Sequence, residues 1–79
     1  MTNSDFLNLH LCLAKIEEIA LDTDENLNNQ TIQMDDIFVN YNVSFEGKIA
    51  INEITFSGKR QNDLINKLNE HYAEYFREY

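Results

Sequence analysis

The sequence predicts an α+β domain ordered α-β-β-α. An antiparallel hairpin over about 31–45 and 48–57 packs against an N-terminal helix over about 4–21 and a C-terminal helix over about 60–78. Three observations carry this. Apolar and polar residues alternate on both sides of Glu46-Gly47, from Ile37 to Phe56, as in two strands joined by a tight turn. A helical apolar stripe precedes that region, and another follows it. The chain has no proline and no Ser/Gly-rich linker, and its 79 residues make a single domain, 1–79.

The first helix starts among Thr2, Asn3, Ser4 and Asp5, all good N-cap residues. Phe6, Leu9, Cys12, Leu13, Ile16, Ile19 and Ala20 fall on one face and form its core stripe. Leu7, Leu11 and Ala14 lie nearly opposite. Either the second helix wraps around to cover them, or they form an exposed apolar contact patch. Leu21 to Gln30 is polar, aperiodic and rich in Asn and Asp, and reads as a loop.

Thr31 to Phe45 is the first strand region. Ile37, Val39, Tyr41, Val43 and Phe45 share one face; Phe38, Asn40, Asn42 and Ser44 share the other. Ile32 and Met34 also alternate, so the strand can begin at Thr31, with Asp35-Asp36 interrupting or bulging it. Two turn geometries compete. A two-residue loop pairs Phe45 with Lys48 and leaves Phe38, Ile49 and Ile51 on a second apolar face. A three-residue loop with Gly47 in the left-handed region pairs Val43 with Ile49 and Tyr41 with Ile51. The second strand then changes phase between Ile51 and Ile54, and a bulge at Asn52-Glu53 returns Ile54 and Phe56 to the common face. The second geometry gives one apolar face throughout and is preferred. In the last helix, Gln61, Leu64, Ile65, Leu68, Tyr72, Tyr75, Phe76 and Tyr79 recur at helical spacing.

Fourteen acids against six bases give a net charge of −8. That argues against nucleic acid or an anionic membrane as direct partner, since both demand positive charge. No apolar run approaches the roughly 20 residues needed to span a bilayer. Cys12 is the only cysteine, so no internal disulfide forms; with no secretory signal, the expected location is the cytoplasm.

Catalytic and metal readings find little support. Asp22-x-Asp24-x-Asn26 opens like a calcium loop, but Leu27 stands where glycine is needed and Gln33 where the bidentate glutamate belongs. Starting at Asp24 instead puts Asn28 and Asp35 at ligand positions, yet a strand follows rather than a helix. His10 and Cys12 point to different sides of one helix, and His71 lies on the other. No nucleophile–base spacing or phosphate-binding glycine loop can be named, so no enzyme, metal or cofactor is expected. Tyr72, Tyr75, Phe76 and Tyr79 sit among acids and suit core packing better than base stacking.

The charge fits a basic protein surface as partner. Glu17, Glu18, Asp22, Asp24 and Glu25 form an acidic run without an intervening base, and Glu70, Glu74 and Glu78 lie on the outer side of the last helix. Rows of carboxylates can imitate phosphates and occupy the nucleic-acid channel of a basic enzyme. In size, charge and mixed α/β make-up the whole chain resembles the small phage-encoded inhibitors of CRISPR or restriction enzymes. The resemblance implies a non-catalytic inhibitor or adaptor acting in the host cytoplasm on a Cas or nuclease complex, with those eight acids as candidate contacts. The competing expectation is a structural homodimer or assembly subunit, joined at the hairpin edges or through Leu7, Leu11 and Ala14.

Overall fold

The alternation around Gly47 folds as expected, in the three-residue-loop geometry. A computed structural model describes residues 3–77, with side-chain placement for residues 3–73. Its elements are α1 (Asn3–Asp22), β1 (Leu27–Met34), β2 (Ile37–Val43), β3 (Ile49–Phe56), β4 (Lys59–Arg60) and α2 (Asn62–Arg77). The strands form one antiparallel meander in the order β1-β2-β3-β4. Val43 pairs with Ile49 and Tyr41 with Ile51, across a loop of Phe45, Glu46 and Gly47. Gly47 takes φ +82° and donates its N–H to the Ser44 carbonyl at 2.8 Å.

The register of β2 and β3 shifts between Asn40 and Tyr41, because Asn40 pairs with Glu53 and Asn52 is extra. This bulge keeps Ile49, Ile51, Ile54 and Phe56 on one buried face, opposite Ile37, Val39, Tyr41 and Val43. Side chains of α2 and β4 serve the backbone around the bulge. The Ile51 N–H donates to Asn69 Oδ1 at 2.8 Å, and the Ile51 carbonyl accepts from Asn69 Nδ2 at 2.9 Å. The Asn52 carbonyl accepts from Arg60, which also pairs with Glu53 at 3.1 Å. The Asn52 amide donates to Asn40 and Asn42 on the outer face of the sheet.

Three expectations change. The stretch 31–45 is two strands rather than one, because Asp35-Asp36 turns the chain back instead of bulging it. Asp35 adopts φ +56°, which its short polar side chain tolerates, and Gln33 Nε2 bonds the Asp35 carbonyl. The supposed loop Leu21–Gln30 contributes its last four residues to β1. β1 is an edge strand whose inner face is only half-buried, so it shows no strict apolar alternation. A bulge between Leu27 and Gln30, with Asn29 at φ +55°, further breaks the period. β2 stops at Val43, so Phe45 is a loop residue and 60% exposed rather than a core one.

Both helices lie on the apolar face of the sheet. Leu9, Cys12 and Ile16 of α1 are buried, with Leu13, Ile19 and Ala20 packed beside them. Phe6 leaves the predicted stripe. Asn8 bonds Asp35 at the hairpin end of β1 and β2, so the preceding turn overhangs the sheet, and Phe6 is half exposed. α2 begins two residues later than expected, because Lys59 and Arg60 pair with Phe56 and Thr55. The Gln61 carbonyl accepts the Ile65 N–H and opens the helix. Ile65 and Tyr72 are buried, and Leu64 and Leu68 are partly so.

Candidate functional site

A groove forms where α1 ends, because the β2–β3 loop presses against it. A Cβ on Gly47 would lie 2.9 Å from the Ala20 carbonyl oxygen, so only glycine permits this approach without a shift. The resulting space is about 680 Å³. Ala20, Ile49 and Tyr72 form its apolar base, and Leu21 and Phe45 stand at its sides. Glu17 and Glu46 supply carboxylates, while Thr23, Gly47 and His71 complete the described lining. Leu21 is 82% exposed, the highest value among the large apolar side chains described.

The electrostatics of the groove are one-sided. None of its described lining residues is Lys or Arg. Tyr72 joins the helices by donating its hydroxyl to Glu17 Oε2 at 2.9 Å. Burial, and then the hydrogen bond and negative charge of Glu17, push the Tyr72 hydroxyl well above the usual phenol range. Tyr72 therefore stays protonated and acts as a donor. The Cys12 thiol is buried in the core, outside the groove lining, and burial pushes it above the usual thiol range.

The acids singled out from the sequence fall into separate places. Glu17 sits in the groove, while Glu18 pairs with Lys15 at 3.7 Å on the other side of α1. Asp22 at the end of α1, and Asp24 and Glu25 on the segment between α1 and β1, are exposed, and they line a shallower depression with Lys15, Glu18, Ile19 and Leu27. Glu70 is exposed on α2, away from the groove lining. The Glu74 side chain and all of Glu78 lie outside the described residues, as do the side chains of Tyr75 and Phe76 and all of Tyr79. Leu7, Leu11 and Ala14 are exposed, so α2 does not wrap around to cover them. Asn26, last in the calcium-like spacing, uses its Oδ1 to accept the Phe45 N–H at 2.9 Å, tying this segment to the loop. No group of three His, Cys, Asp or Glu residues among those described is placed to share a metal. Among the described residues, no helix is long and apolar enough to cross a membrane.

Leu21, Phe45, Glu46 and Tyr72 are the site residues that sequence reasoning missed as a group. Leu21 had a signal, since it is an isolated leucine in a polar stretch. Phe45 read as a core residue because it continues the alternation of β2 by one step. No family model matches the chain, and no similar curated protein or solved structure was found.

Proposed function

We propose that this chain is a non-catalytic protein-binding module, an inhibitor or adaptor that engages a basic protein surface. The observation that carries the reading is the groove: exposed Leu21 and Phe45 frame an apolar base bordered by Glu17 and Glu46. Apolar anchors beside carboxylates suit a partner segment that brings an aliphatic or aromatic residue together with Lys or Arg. Asp22, Asp24 and Glu25 extend the negative field beyond the groove and would speed the approach of such a partner. A nucleic-acid-binding enzyme, such as a Cas or nuclease complex, has the required basic channel, in which these carboxylates would stand in for phosphates.

The test is binding to such an enzyme between about 0.05 and 0.3 M salt. Affinity should fall steeply with salt. Leu21→Ala and Phe45→Ala should each weaken it about tenfold or more, as loss of an interface anchor does. Affinity indifferent to salt and to both truncations refutes the reading. The second reading, a homodimer or assembly subunit, is favoured by the exposure of Leu7, Leu11 and Ala14 on the outer side of α1. Sedimentation at micromolar concentration decides it, because a clean monomer eliminates it.

A further inference from the structure

The two outer edges of the sheet are treated differently. At β3, α2 and β4 cover the edge: Asn69 bonds both backbone groups of Ile51, and Lys59–Arg60 pairs with Thr55 and Phe56. At β1, no further strand follows among the described residues. Met34 and Ile37 flank a two-residue turn and exchange backbone bonds, so the bonded residues along β1 are Met34, Ile32 and Gln30. The N–H and C=O groups of Thr31 and Gln33 therefore point away from β2. Nothing among the described residues bonds them.

This edge lacks the usual protection. From Leu27 to Met34 it carries no charge and no proline, and past its bulge it stays in regular register for five residues, Gln30 to Met34. Its inward side chains, Ile32 and Met34, are only partly buried at the margin of the core. Acids bracket the neutral strand. Asp24 and Glu25 precede it, and Asp35 and Asp36 follow it, all exposed.

This charge pattern selects the occupant. In a two-fold antiparallel pairing of two copies, Asp24-Glu25 of one would lie near Asp35-Asp36 of the other, and the like charges would repel. An extended segment of a different protein, with β-branched residues in its middle and Lys or Arg at both ends, would meet complementary charge at each end. We propose that β1 is a strand-addition site: a basic-ended extended segment pairs with the Thr31 and Gln33 backbone and becomes a fifth strand. Its inward residues continue the apolar row of Ile32 and Met34. The inference rests on the reading of this chain as a binder of basic proteins, but it names a surface separate from the groove.

The probe is the synthetic peptide Lys-Arg-Thr-Val-Thr-Ile-Thr-Lys-Arg, followed by fluorescence anisotropy and by backbone amide exchange. The expected result is saturable binding that protects the Thr31 and Gln33 amides. Thr31→Pro removes an outward N–H while leaving the β1–β2 ladder intact, and should weaken binding about tenfold, the worth of one backbone hydrogen bond. Asp24→Lys with Glu25→Lys should weaken the basic peptide. The same pair of substitutions should improve a version of the peptide with Glu-Asp at the end that meets them.

Three results overturn the proposal. If a peptide with proline in its middle binds as well as the probe, or Thr31→Pro has no effect, only surface charge attracts basic chains; the wider reading then survives and strand addition does not. If amides around Leu21 and Phe45 are protected instead, the groove is the site. If the protein alone forms a dimer that Thr31→Pro dissociates, the edge belongs to a second copy. Absence of any peptide binding also refutes strand addition, while the groove reading remains tested by its own truncations.

Discussion

Replacing Asn69 by alanine should destabilise the protein more than any other exposed or half-buried polar substitution. Asn69 lies on α2, yet its side-chain amide meets the Ile51 N–H at 2.8 Å and the Ile51 carbonyl at 2.9 Å, as a neighbouring strand would. Those groups face the outer edge of β3, and β4 reaches only Thr55 and Phe56, so they have no ladder partner. Truncation leaves one donor and one acceptor unpaired at a partly buried position, each costing about 1–2 kcal/mol. The expected loss is about 2–4 kcal/mol. For a domain of this size that lowers Tm by roughly 10–25 °C. Asn69→Asp separates the two bonds, because it keeps an acceptor for the Ile51 N–H and loses the donor to the carbonyl; its cost should be about half. Urea titration followed by circular dichroism measures both variants, and amide exchange at Ile51 should accelerate in the alanine variant. A change under about 0.5 kcal/mol, as for an ordinary surface site, would show that α2 does not close this edge.

Other perturbations probe the remaining elements. Gly47→Ala should cost about 2–3 kcal/mol, because the left-handed backbone penalty adds to a clash with the Ala20 carbonyl; Gly58→Ala, at φ +81° with open space around it, should cost only about 1 kcal/mol by denaturant titration. Deleting Asn52 removes the bulge but leaves Ile49-Ala50-Ile51-Glu53-Ile54-Thr55-Phe56 in unbroken alternation, so the apolar face should stay in phase and the chain should still fold. The cost should be that of the lost Asn52 bonds to Asn40, Asn42 and Arg60, about 1–3 kcal/mol by denaturant titration; a chain that is unfolded by circular dichroism would show that the bulge itself is required. The raised Tyr72 hydroxyl makes stability fall at high pH. Below about pH 10 both folded and unfolded chains hold the proton and the contribution is complete; above it only the folded chain does, and stability should drop by about 1.4 kcal/mol per pH unit. Tyr72→Phe should flatten that slope. Cys12 should react with a thiol reagent only as fast as the protein opens, so labelling should accelerate sharply across the urea transition.

The central hairpin was legible because its core pattern permits few solutions. The phase change between Ile51 and Ile54 demands either a second apolar face or an extra residue, and the single glycine at position 47 suits a three-residue loop. Together these point to the bulge that Asn52 makes. β1 was not legible as a strand in its first half. Leu27, Asn28, Asn29 and Gln30 carry one apolar residue in four, and an edge strand with a bulge needs no more. Phe45 failed for the opposite reason: it obeys the alternation, but the loop begins one residue earlier than the pattern suggests. Phe6 likewise obeys helical spacing, yet spacing cannot show where the sheet beneath a helix ends. The acidic run was visible, but its division between the groove and the β1 margin depends on the direction in which α1 terminates.

The division of labour between amides and carboxylates bears on how binding can be tested. The bonds that hold the bulge, the outer face of the sheet and the segment after α1 come from Asn26, Asn40, Asn42, Asn52 and Asn69. By contrast, the side chains of Asp22, Asp24, Glu25, Glu46 and Glu70 make no hydrogen bond or ion pair among the described residues. Reversing these charges should therefore leave stability within about 0.5 kcal/mol. Asp22→Lys should even raise it by about 0.3–1 kcal/mol, since Asp22 ends α1, where a negative charge opposes the helix dipole. In a chain carrying −8, each reversal also lessens self-repulsion. A partner lost on reversal of these acids is thus lost at the surface and not through unfolding. Had the same carboxylates been buried or paired, such a result would be ambiguous; here the amides carry the fold and leave the acids free to meet a partner.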